Sequence, residues 1–329
     1  MSDKIRWGFI GLGSIARRFG SCFPYAPNAE IYAVASRSQA KADAFGAEFG
    51  ATKCYGSYEA LVNDPDVDVV YVGTPHNYHK PHTLLSLNAG KPVLCEKPFA
   101  VNAAEARDMV ACAREKKLFL MDAFWTRFFP AMAKVRELLA AGAIGDVMLL
   151  QADFGYRTPG VNPDSRTFSP DLAGGALLDV GSYPVQLASM VFGKQPREIV
   201  SQVTLGSTGV DELSVTVFKY SDYEMASIAT AIRLNTAHEA RIMGSAGYIA
   251  IPNFWHPAEI TVHRGGQAPE THRFDFPGEG FQYEIEAVGG YIREGVTESP
   301  VYPLDETIAI METLDRIREI WGLRYPMES

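Results

Sequence analysis

The segment Ile5–Ile15, IRWGFIGLGSI, constrains the fold of this chain more than any other stretch. An apolar run ends in Gly11 and Gly13, and a helical pattern that contains Ala16 follows at once. A strand, a glycine turn and a helix in this order bring the pyrophosphate of a dinucleotide to a helix N-terminus. Gly11 allows the tight turn, Gly13 lets phosphates approach the backbone, and Ala16 lets the helix pack closely on the strand. The segment therefore predicts a nucleotide-binding fold.

Apolar runs and amphipathic stretches alternate through residues 1–122. The predicted strands are Ile5–Ile10, Ile31–Ala35, Val67–Val72, Val93–Cys95 and Leu118–Met121. Helices are predicted between them, including Gln39–Phe49 and Ala103–Lys116. Strands that alternate with helices in this way are typical of a parallel, doubly wound sheet. We therefore predict a Rossmann-type, NAD(P)-binding domain over residues 1–122.

The pattern changes in the second part of the chain, residues 123–329. The predicted elements there are a helix over Phe128–Ala141, a strand over Val147–Phe154, a loop rich in Gly and Pro from Arg157 to Gly175, a further helix, β-like segments from Ile199 to about Val262, and the helices Phe281–Glu294 and Leu304–Trp321. Successive strands favour an open, largely antiparallel sheet. The predicted fold class is therefore α/β, with a second, α+β domain over residues 123–329.

Length and composition exclude several classes of protein. A chain of 329 residues exceeds the usual size of one core and predicts two domains. A net charge of -9 gives no long-range attraction to nucleic acid or to an anionic membrane. The four cysteines form no CxxC pair, no apolar stretch is long enough to span a membrane, and no secretory signal precedes the first strand. We therefore expect a cytoplasmic protein.

The residues after the second predicted strand bear on the choice between NADP and NAD. NAD-binding domains carry a carboxylate here that accepts a hydrogen bond from the ribose 2′-hydroxyl. This chain has Ser36 and Arg37 instead, and a hydroxyl next to a guanidinium suits a 2′-phosphate. The local chemistry favours NADP, although Arg37 is also consistent with an ordinary exposed residue that starts the next helix.

Three histidines, His76, His79 and His82, follow the predicted strand that ends at Val72. Their spacing is compatible with a metal site, but Pro75 and Pro81 are expected to break a regular helix there. No carboxylate or cysteine nearby completes a ligand set. Because loops at this edge of a doubly wound sheet bind ligands, contact with a cofactor or packing at a helix N-terminus is the favoured role, and we predict no metal.

Lys97 follows the next buried strand, in the sequence Cys95-Glu96-Lys97-Pro98. Near a nicotinamide, a lysine there would stabilise an alkoxide and lower the pKa of a neighbouring acid. The residue before a proline is held extended, and the Lys97–Pro98 bond is a candidate cis peptide. A lysine at a strand end that is simply paired with Glu96 remains an equally valid interpretation of these residues alone.

Asp179 and Tyr183 open a helix in the second domain, within the sequence GGALLDVGSYP. Residues four apart share a face if helical geometry spans both of them. A carboxylate oriented toward a phenol, with a lysine nearby, is a proton-transfer set suited to alcohol oxidation. The alternative is that Asp179 is the N-cap of the helix, because Gly181 and Pro184 leave the helical register open.

Across essentially its whole length the chain resembles the glucose–fructose oxidoreductase/inositol dehydrogenase/MocA family of nicotinamide-dependent dehydrogenases. The segments that carry this resemblance are GFIGLGSIA, VASRS, GTPHNYH, CEKPFAVN, DAFWTRFFP, GGALLDVGSY, MGSAGYIAIPNFWHP and GFQYEIEAV. EKP and the Asp-x-Gly-x-Tyr segment are specific in combination and weak singly. Within the family the chain looks most like the dimeric trans-dihydrodiol dehydrogenases, which also oxidise D-xylose with NADP.

The resemblance implies roles for individual residues. Lys97 would be the catalytic lysine beside the nicotinamide, Tyr183 the proton-transfer residue and Asp179 a residue that orients the site; many relatives have His in place of Tyr183. The implied substrate-binding residues are Trp125, Arg127, Phe154, Tyr183 and Phe281. The predicted cofactor-binding residues are Gly11, Gly13, Ser14, Ile15, Ser36, Arg37, Thr74, Pro75, His76, Asn77, His79, Glu96 and Lys97. The second domain of the family commonly pairs subunits, so a homodimer is implied.

These residues lead to one main hypothesis, in which NADP exchanges a hydride with a C–OH of an aldopyranose sugar or a cyclic diol. Tyr183 would remove the hydroxyl proton, and Lys97 would hold Tyr183 partly ionised and stabilise the alkoxide. Two alternatives are a non-catalytic sensor that binds NADP and sugar, and an NAD-dependent polyol dehydrogenase. The export signal and N-terminal arm of glucose–fructose oxidoreductases are absent from this sequence, so permanent retention of the cofactor is not expected.

Overall fold

The computed structural model of the chain describes residues 4–328. The strands are β1 (Ile5–Ile10), β2 (Ala29–Ala35), β3 (Lys53–Tyr55), β4 (Val69–Val72), β5 (Val93–Glu96), β6 (Leu120–Ala123), β7 (Val147–Gly155), β8 (Glu198–Leu205), β9 (Asp211–Lys219), β10 (Met225–Ala231), β11 (Ala240–Gly244), β12 (Gly247–Ile251), β13 (Glu259–Arg264) and β14 (Glu270–Arg273). The α-helices are α1 (Ser14–Gly20), α2 (Gln39–Phe49), α3 (Tyr58–Val62), α4 (His79–Asn88), α5 (Ala103–Lys116), α6 (Pro130–Ala140), α7 (Ser182–Phe192), α8 (Gln282–Arg293) and α9 (Leu304–Trp321).

Contacts divide the chain into two compact units. The first consists of Met1–Phe128 and Phe276–Ile308, and the second of Phe129–Asp275 and Ala309–Ser329. The sequence prediction differs from this division because it assigned every residue after 122 to the second domain. Helix α8 belongs to the first unit, where it packs against β2. The roles of the two predicted domains, in cofactor and in substrate binding, remain predictions.

The first unit contains a parallel six-stranded sheet in the order β3-β2-β1-β4-β5-β6. This is the strand order of dinucleotide-binding domains, and the predicted fold class is confirmed. The chain reverses its direction of sheet growth between β1 and β4, so the loops after these strands meet at the carboxyl edge where ligands bind. The edge strand β3 and helix α3 were not predicted, because neither contains a long apolar run.

Aromatic packing fixes α1 against the centre of this sheet. Phe9 on β1 contacts Phe19 on α1 and Tyr71 on β4, with ring centroids 5.7 and 5.1 Å apart. Phe19 also stacks on Tyr71 at 4.2 Å. All three rings are fully buried, so truncation of any one to alanine would cost about 3–5 kcal/mol. The glycine turn between β1 and α1 is thus held between two rigidly packed elements.

The second unit contains a mixed sheet in the order β14-β13-β12-β11-β7-β10-β9-β8. Its pairs are antiparallel except for β7 with β10, as the prediction of a largely antiparallel sheet requires. Side chains alternate between a buried and a more exposed face, as expected of a sheet covered on one side. The buried face includes Leu150, Phe218, Ile228, Ile242, Ile249 and Val262. In the described part of the chain, no helix is both long and apolar enough to cross a membrane.

Candidate active site

The glycine turn has the shape required for a dinucleotide. Gly11 has a φ of +88°, and a Cβ there would lie 2.7 Å from the backbone of Gly73 and from the Thr74 side chain. A Cβ on Gly13 would meet nothing within 4 Å, so the space in front of Ser14 and Ile15 in the first turn of α1 is open. These residues therefore fit a pyrophosphate, because bare backbone amides face open space at a helix start.

Ser36 and Arg37 lie at the carboxyl end of β2, next to this turn in the sheet. Ser36 donates its backbone amide to Tyr55 and accepts the Ser38 amide on its Oγ, at 3.1 and 3.2 Å. Arg37 is exposed and reaches the Tyr58 hydroxyl. Burial raises the pKa of Tyr58, and the Arg37 guanidinium opposes that rise. A hydroxyl and a guanidinium therefore lie together at the β2 tip, and their role in binding a 2′-phosphate stays a prediction.

His82 joins this group, although the sequence did not identify it as a site residue. Its ring lies edge-on to Tyr58 at 4.7 Å and stacks with Tyr78 at 5.7 Å. Its Nδ1 is 3.1 Å from the Thr74 Oγ1. Burial lowers the pKa of His82 to about 4, and the charges of His79 and Arg37 add to this effect. The neutral ring is therefore part of an aromatic wall beside Arg37.

The segment after β4 adopts more regular structure than the sequence predicted. Pro75 precedes a 3-10 turn over His76–Tyr78, and α4 begins at His79. Pro81 does not break this helix, so that expectation was wrong. It is the third residue of α4, where a backbone amide has no partner within the helix and proline is tolerated.

His79 links two loops of the predicted cofactor site. It is buried, with Nδ1 2.8 Å from the Pro98 carbonyl and Nε2 2.8 Å from the Thr74 carbonyl. Burial lowers the pKa of His79, whereas the two carbonyl acceptors favour the doubly protonated ring. His76 lies beside it, with ring centroids 5.8 Å apart. Within residues 4–328 no group of three His, Cys, Asp or Glu side chains is arranged to hold a metal ion.

Lys97 lies at the carboxyl edge of the sheet, directly after β5. The Lys97–Pro98 peptide is cis, as the sequence suggested. Lys97 itself is partly exposed, and its backbone amide donates to the Glu96 carboxylate at 3.2 Å. The Tyr71 hydroxyl donates to the other Glu96 oxygen at 2.7 Å. Glu96 is thereby fixed from two sides by groups other than the lysine ammonium.

Two further buried acids, Asp122 and Glu284, lie in the same unit as Glu96. Burial raises the pKa of Asp122 to about 8, and Tyr302 donates to its Oδ2 at 3.1 Å. Burial, with repulsion from Glu96 and Asp122, raises the pKa of Glu284 well above its usual value. Glu284 is 0% exposed, and neither of its oxygens has a hydrogen-bond partner among the described residues. Burial therefore favours the neutral form of both Asp122 and Glu284.

Three of the residues predicted to bind substrate belong to the first unit. Trp125 and Phe281 stack on each other with centroids 4.0 Å apart and planes 13° apart. Arg127 is 3% exposed, pairs with Glu306 and lies over the Tyr302 ring at 5.0 Å. The structure thus brings Trp125 and Phe281 together and gives Arg127 a buried ion pair.

Asp179 lies in a π-helical turn, Leu177–Gly181, that leads directly into α7. Its Oδ2 accepts the Tyr156 hydroxyl at 2.5 Å and its Oδ1 accepts an Arg166 N–H at 3.0 Å. Burial and the Asp179 charge raise the pKa of Tyr156. The alternative that Asp179 caps the helix is wrong, because the N-cap of α7 is Gly181 and no side chain caps it. π-helical turns are frequent at functional sites.

Tyr183 is the second residue of α7 and is buried. Its ring lies edge-on to Phe154, with centroids 5.2 Å apart. Phe154 in turn stacks on Trp255 at 5.2 Å and packs against His238 at 4.8 Å. The predicted residues Asp179, Tyr183 and Phe154 therefore belong to one region of the second unit.

The sequence did not identify Tyr156, Arg166, His238 or Trp255 as neighbours of these residues. Arg166 lies in the loop from 157 to 175, whose path has no periodic signal. Tyr156 follows the end of β7, and this position at the end of a strand was the one available signal for it. Trp255 and His238 meet through a hydrogen bond from Nε1 to Nδ1 of 3.3 Å, which only the tertiary fold creates.

Two family models match the chain. The model of an oxidoreductase family with an NAD-binding Rossmann fold, GFO/IDH/MocA, matches residues 5–124. The model of the GFO/IDH/MocA C-terminal domain matches residues 132–250. The first match covers the glycine turn, the β2 tip and Lys97, and the second covers Asp179 and Tyr183.

Known proteins resemble the chain over nearly its full length. It is 40% identical to a trans-1,2-dihydrobenzene-1,2-diol dehydrogenase of Mus musculus, over 99% of both chains. A 3-ketoreductase from Actinomadura kijaniata, solved with NADP and TDP-benzene, is 28% identical with a TM-score of 0.85, over 96% of this chain and 97% of the other. An aldose-aldose oxidoreductase from Caulobacter crescentus has a TM-score of 0.88 at 24% identity, over 97% and 98% of the chains, and supports the fold alone.

Proposed function

Since the chain belongs to the GFO/IDH/MocA oxidoreductase family, we propose that it is an NADP-dependent dehydrogenase acting on a C–OH of an aldopyranose sugar or a cyclic trans-diol. The observation that carries the proposal is the position of Lys97, directly after β5 at the carboxyl edge of a sheet whose first loop is an open glycine turn. The 40% identity to a dihydrodiol dehydrogenase over 99% of both chains supports the diol as a substrate class.

NADP is favoured over NAD by the groups at the β2 tip. Neither Ser36 nor Arg37 carries a negative charge, so no carboxylate there repels a 2′-phosphate or accepts from a 2′-hydroxyl. The exposed Arg37 guanidinium supplies the fork that a phosphate monoester prefers, and Tyr58 and His82 form an aromatic wall beside it. The 3-ketoreductase that shares this fold was solved with NADP.

The nicotinamide of the cofactor supplies the hydride acceptor for the proposed oxidation. We assign the other parts of the reaction to side chains of this protein. Tyr183 accepts the proton from the substrate hydroxyl, and Asp179 orients the segment that carries this phenol. The Lys97 ammonium stabilises negative charge as it develops on the substrate oxygen. In the reverse reaction, Tyr183 returns its proton to the same oxygen.

Aromatic side chains are assigned to substrate binding. Phe154, Trp125 and Phe281 offer flat apolar faces, which suit both a cyclic diol and the C–H face of a sugar ring. Arg127 is already paired with Glu306, so its proposed role is to support Trp125 through the fold of the short turn Trp125–Phe128 rather than to bind substrate by its own charge.

Initial rates of the purified protein test the proposal. D-xylose, D-glucose, an inositol and trans-cyclohexane-1,2-diol are supplied with NADP and with NAD in parallel, and nicotinamide absorbance is followed. We expect turnover with NADP on at least one sugar or diol. Tight NADP binding without turnover on any member would contradict the proposal and favour a sensor that binds NADP and sugar.

We also propose that the chain forms a homodimer through the exposed face of its second sheet. Val200, Val215 and Met225 share this face and are 65%, 49% and 41% exposed, and Tyr248 lies on it as well. Stable interfaces bury ~800 Å² per partner, and these exposed apolar side chains on an eight-stranded sheet would contribute to such an area. Light scattering should give twice the 36.1 kDa chain mass, and Val215→Glu should lower it. The mass of one chain for the native protein would contradict this interface.

A further inference from the structure

Asp211 contacts the first residue of the π-helical turn that contains Asp179. It is the first residue of β9, lies 34 positions after Leu177 in the chain, and is fully buried. Its Oδ2 accepts the backbone amide of Leu177 at 2.6 Å. Leu177 begins the π-helical turn, and four N-terminal amides of any helix lack a partner within the helix. Asp211 therefore satisfies the start of the turn that leads to Tyr183.

A pair of glycines lets the backbone approach Asp211 closely. Gly175 has a φ of +118°, and a Cβ there would overlap the Asp211 Oδ1. A Cβ on Gly174 would lie 2.7 Å from the Thr167 carbonyl oxygen, which already accepts the Gly175 amide at 2.9 Å. The entrance to the turn is thus clamped between the Thr167 backbone and the Asp211 carboxyl group.

The C-terminal segment fixes the same entrance. The Tyr325 hydroxyl donates to the Gly174 carbonyl at 2.7 Å, and its ring is 1% exposed. Tyr325 is itself held in place, because its amide donates to Glu328 at 2.9 Å and Arg318 lies over its ring at 5.0 Å. Arg318 also donates to both Glu328 oxygens, at 2.6 and 2.8 Å.

These contacts set where the segment between Gly174 and α7 begins, and the Gly175 carbonyl accepts the Asp179 amide at 3.4 Å. We propose that Asp211 and Tyr325 are positioning residues for the reaction, which fix the entrance of the π-helical turn and so orient Asp179 and Tyr183. The inference rests on the proposed function, because it assumes that Tyr183 transfers the proton. An enzyme loses rate steeply when a reacting group is misplaced by about 1 Å. Loss of the Asp211 or Tyr325 contact should therefore lower kcat measurably.

Asp211→Asn and Tyr325→Phe test this assignment with minimal change in shape. We expect each to lower kcat about 10-fold or more with an unchanged dissociation constant for NADP, because the contacts lie in the second unit and the glycine turn in the first. The matched control is Tyr220→Phe, which removes the hydroxyl of another buried tyrosine, one that stacks on Phe192 at the far end of α7 at 4.3 Å. The control should keep the native kcat.

The pH dependence of kcat separates positioning from a loss of stability. Burial raises the pKa of Asp211 to about 7, while the Leu177 and Ala176 amides and the charge of Arg318 favour its carboxylate. Tyr325 is the other titratable group that faces it, and burial raises the pKa of that phenol further above neutrality. A rise in pH through this range favours the carboxylate, which accepts the Leu177 amide more strongly than the neutral carboxyl group does. The ratio of native to Asp211→Asn kcat should therefore rise from pH 6 to pH 8.

The outcomes distinguish this inference from the proposed function. If Tyr183→Phe is inactive while Asp211→Asn and Tyr325→Phe match the Tyr220→Phe control, the positioning role is overturned and the proposed chemistry stands. If Tyr183→Phe retains native turnover, the proposed function fails first. A lower melting temperature with unchanged kcat, or a kcat ratio that is flat from pH 6 to pH 8, would also overturn the positioning role. If Asp211→Asn does not fold, the kcat of Tyr325→Phe relative to the Tyr220→Phe control tests the positioning role by itself.

Discussion

Tyr183→Phe should lower kcat by about 100- to 10,000-fold, the usual contribution of a positioned general base. The substitution removes the proton acceptor but keeps the ring that packs edge-on against Phe154. Folding and NADP binding should therefore be unchanged, as checked by the melting temperature and by a fluorescence titration with NADP. Steady-state rates on the best sugar or diol measure the effect.

Lys97→Met should lower kcat by about 100- to 1,000-fold, because it removes the cation that stabilises the developing alkoxide. Methionine keeps an unbranched, apolar stem one atom shorter than lysine, and the Glu96 carboxylate keeps its bonds to Tyr71 and to the backbone amide of residue 97. Lys80→Met is the matched control, because Lys80 pairs with Asp108 on the surface and has no proposed role. Native turnover in Lys97→Met or in Tyr183→Phe would remove that residue from the mechanism.

Ser36→Asp should shift the cofactor preference strongly toward NAD. A carboxylate at the β2 tip would repel the 2′-phosphate of NADP and accept a hydrogen bond from the 2′-hydroxyl of NAD. Both effects disfavour NADP relative to NAD. They should together lower the NADP/NAD ratio of kcat/KM by about 100-fold or more, where each factor of ten corresponds to about 1.4 kcal/mol. The measurement is kcat/KM with each cofactor at a saturating substrate concentration.

The control for this experiment changes charge without changing the β2 tip. Ser207→Asp adds the same carboxylate at an exposed position in the turn between β8 and β9 of the second unit. Its cofactor ratio should equal that of the native protein. A ratio that is unchanged in Ser36→Asp as well would mean that the 2′-phosphate is not bound at Ser36 and Arg37.

The cofactor domain was predictable from sequence because local patterns encode it. β1 and α2 were predicted with their observed bounds, since strands buried on both faces are continuous apolar runs and helices carry a 3.6-residue period. The role of Gly11 was also predictable from local sequence. A turn with a φ of +88° close to the Gly73 backbone accommodates only glycine without strain.

The surroundings of the catalytic candidates were not predictable, because distant parts of the chain meet there. Asp179 was named from a motif, but its partner Tyr156 is 23 positions away and Arg166 lies in an irregular loop. Asp211 reaches Leu177 across 34 positions, and Tyr325 reaches Gly174 across 151. Such long-range pairs have no periodic signal in a single sequence. The same limit explains why His82 was read only as one of three spaced histidines.

Transfer of deuterium from substrate to cofactor tests the proposed hydride transfer most directly. trans-Cyclohexane-1,2-diol labelled with deuterium on both carbinol carbons, and D-xylose labelled with deuterium at every carbon that bears a hydroxyl, are each incubated with the enzyme and NADP. Mass spectrometry of the reduced cofactor should show a gain of one deuterium with a substrate that turns over. The Tyr183→Phe variant should give far less labelled product in the same time. Reduced cofactor that carries no deuterium, formed from a labelled substrate that turns over, would contradict the proposed transfer from a sugar or diol C–OH.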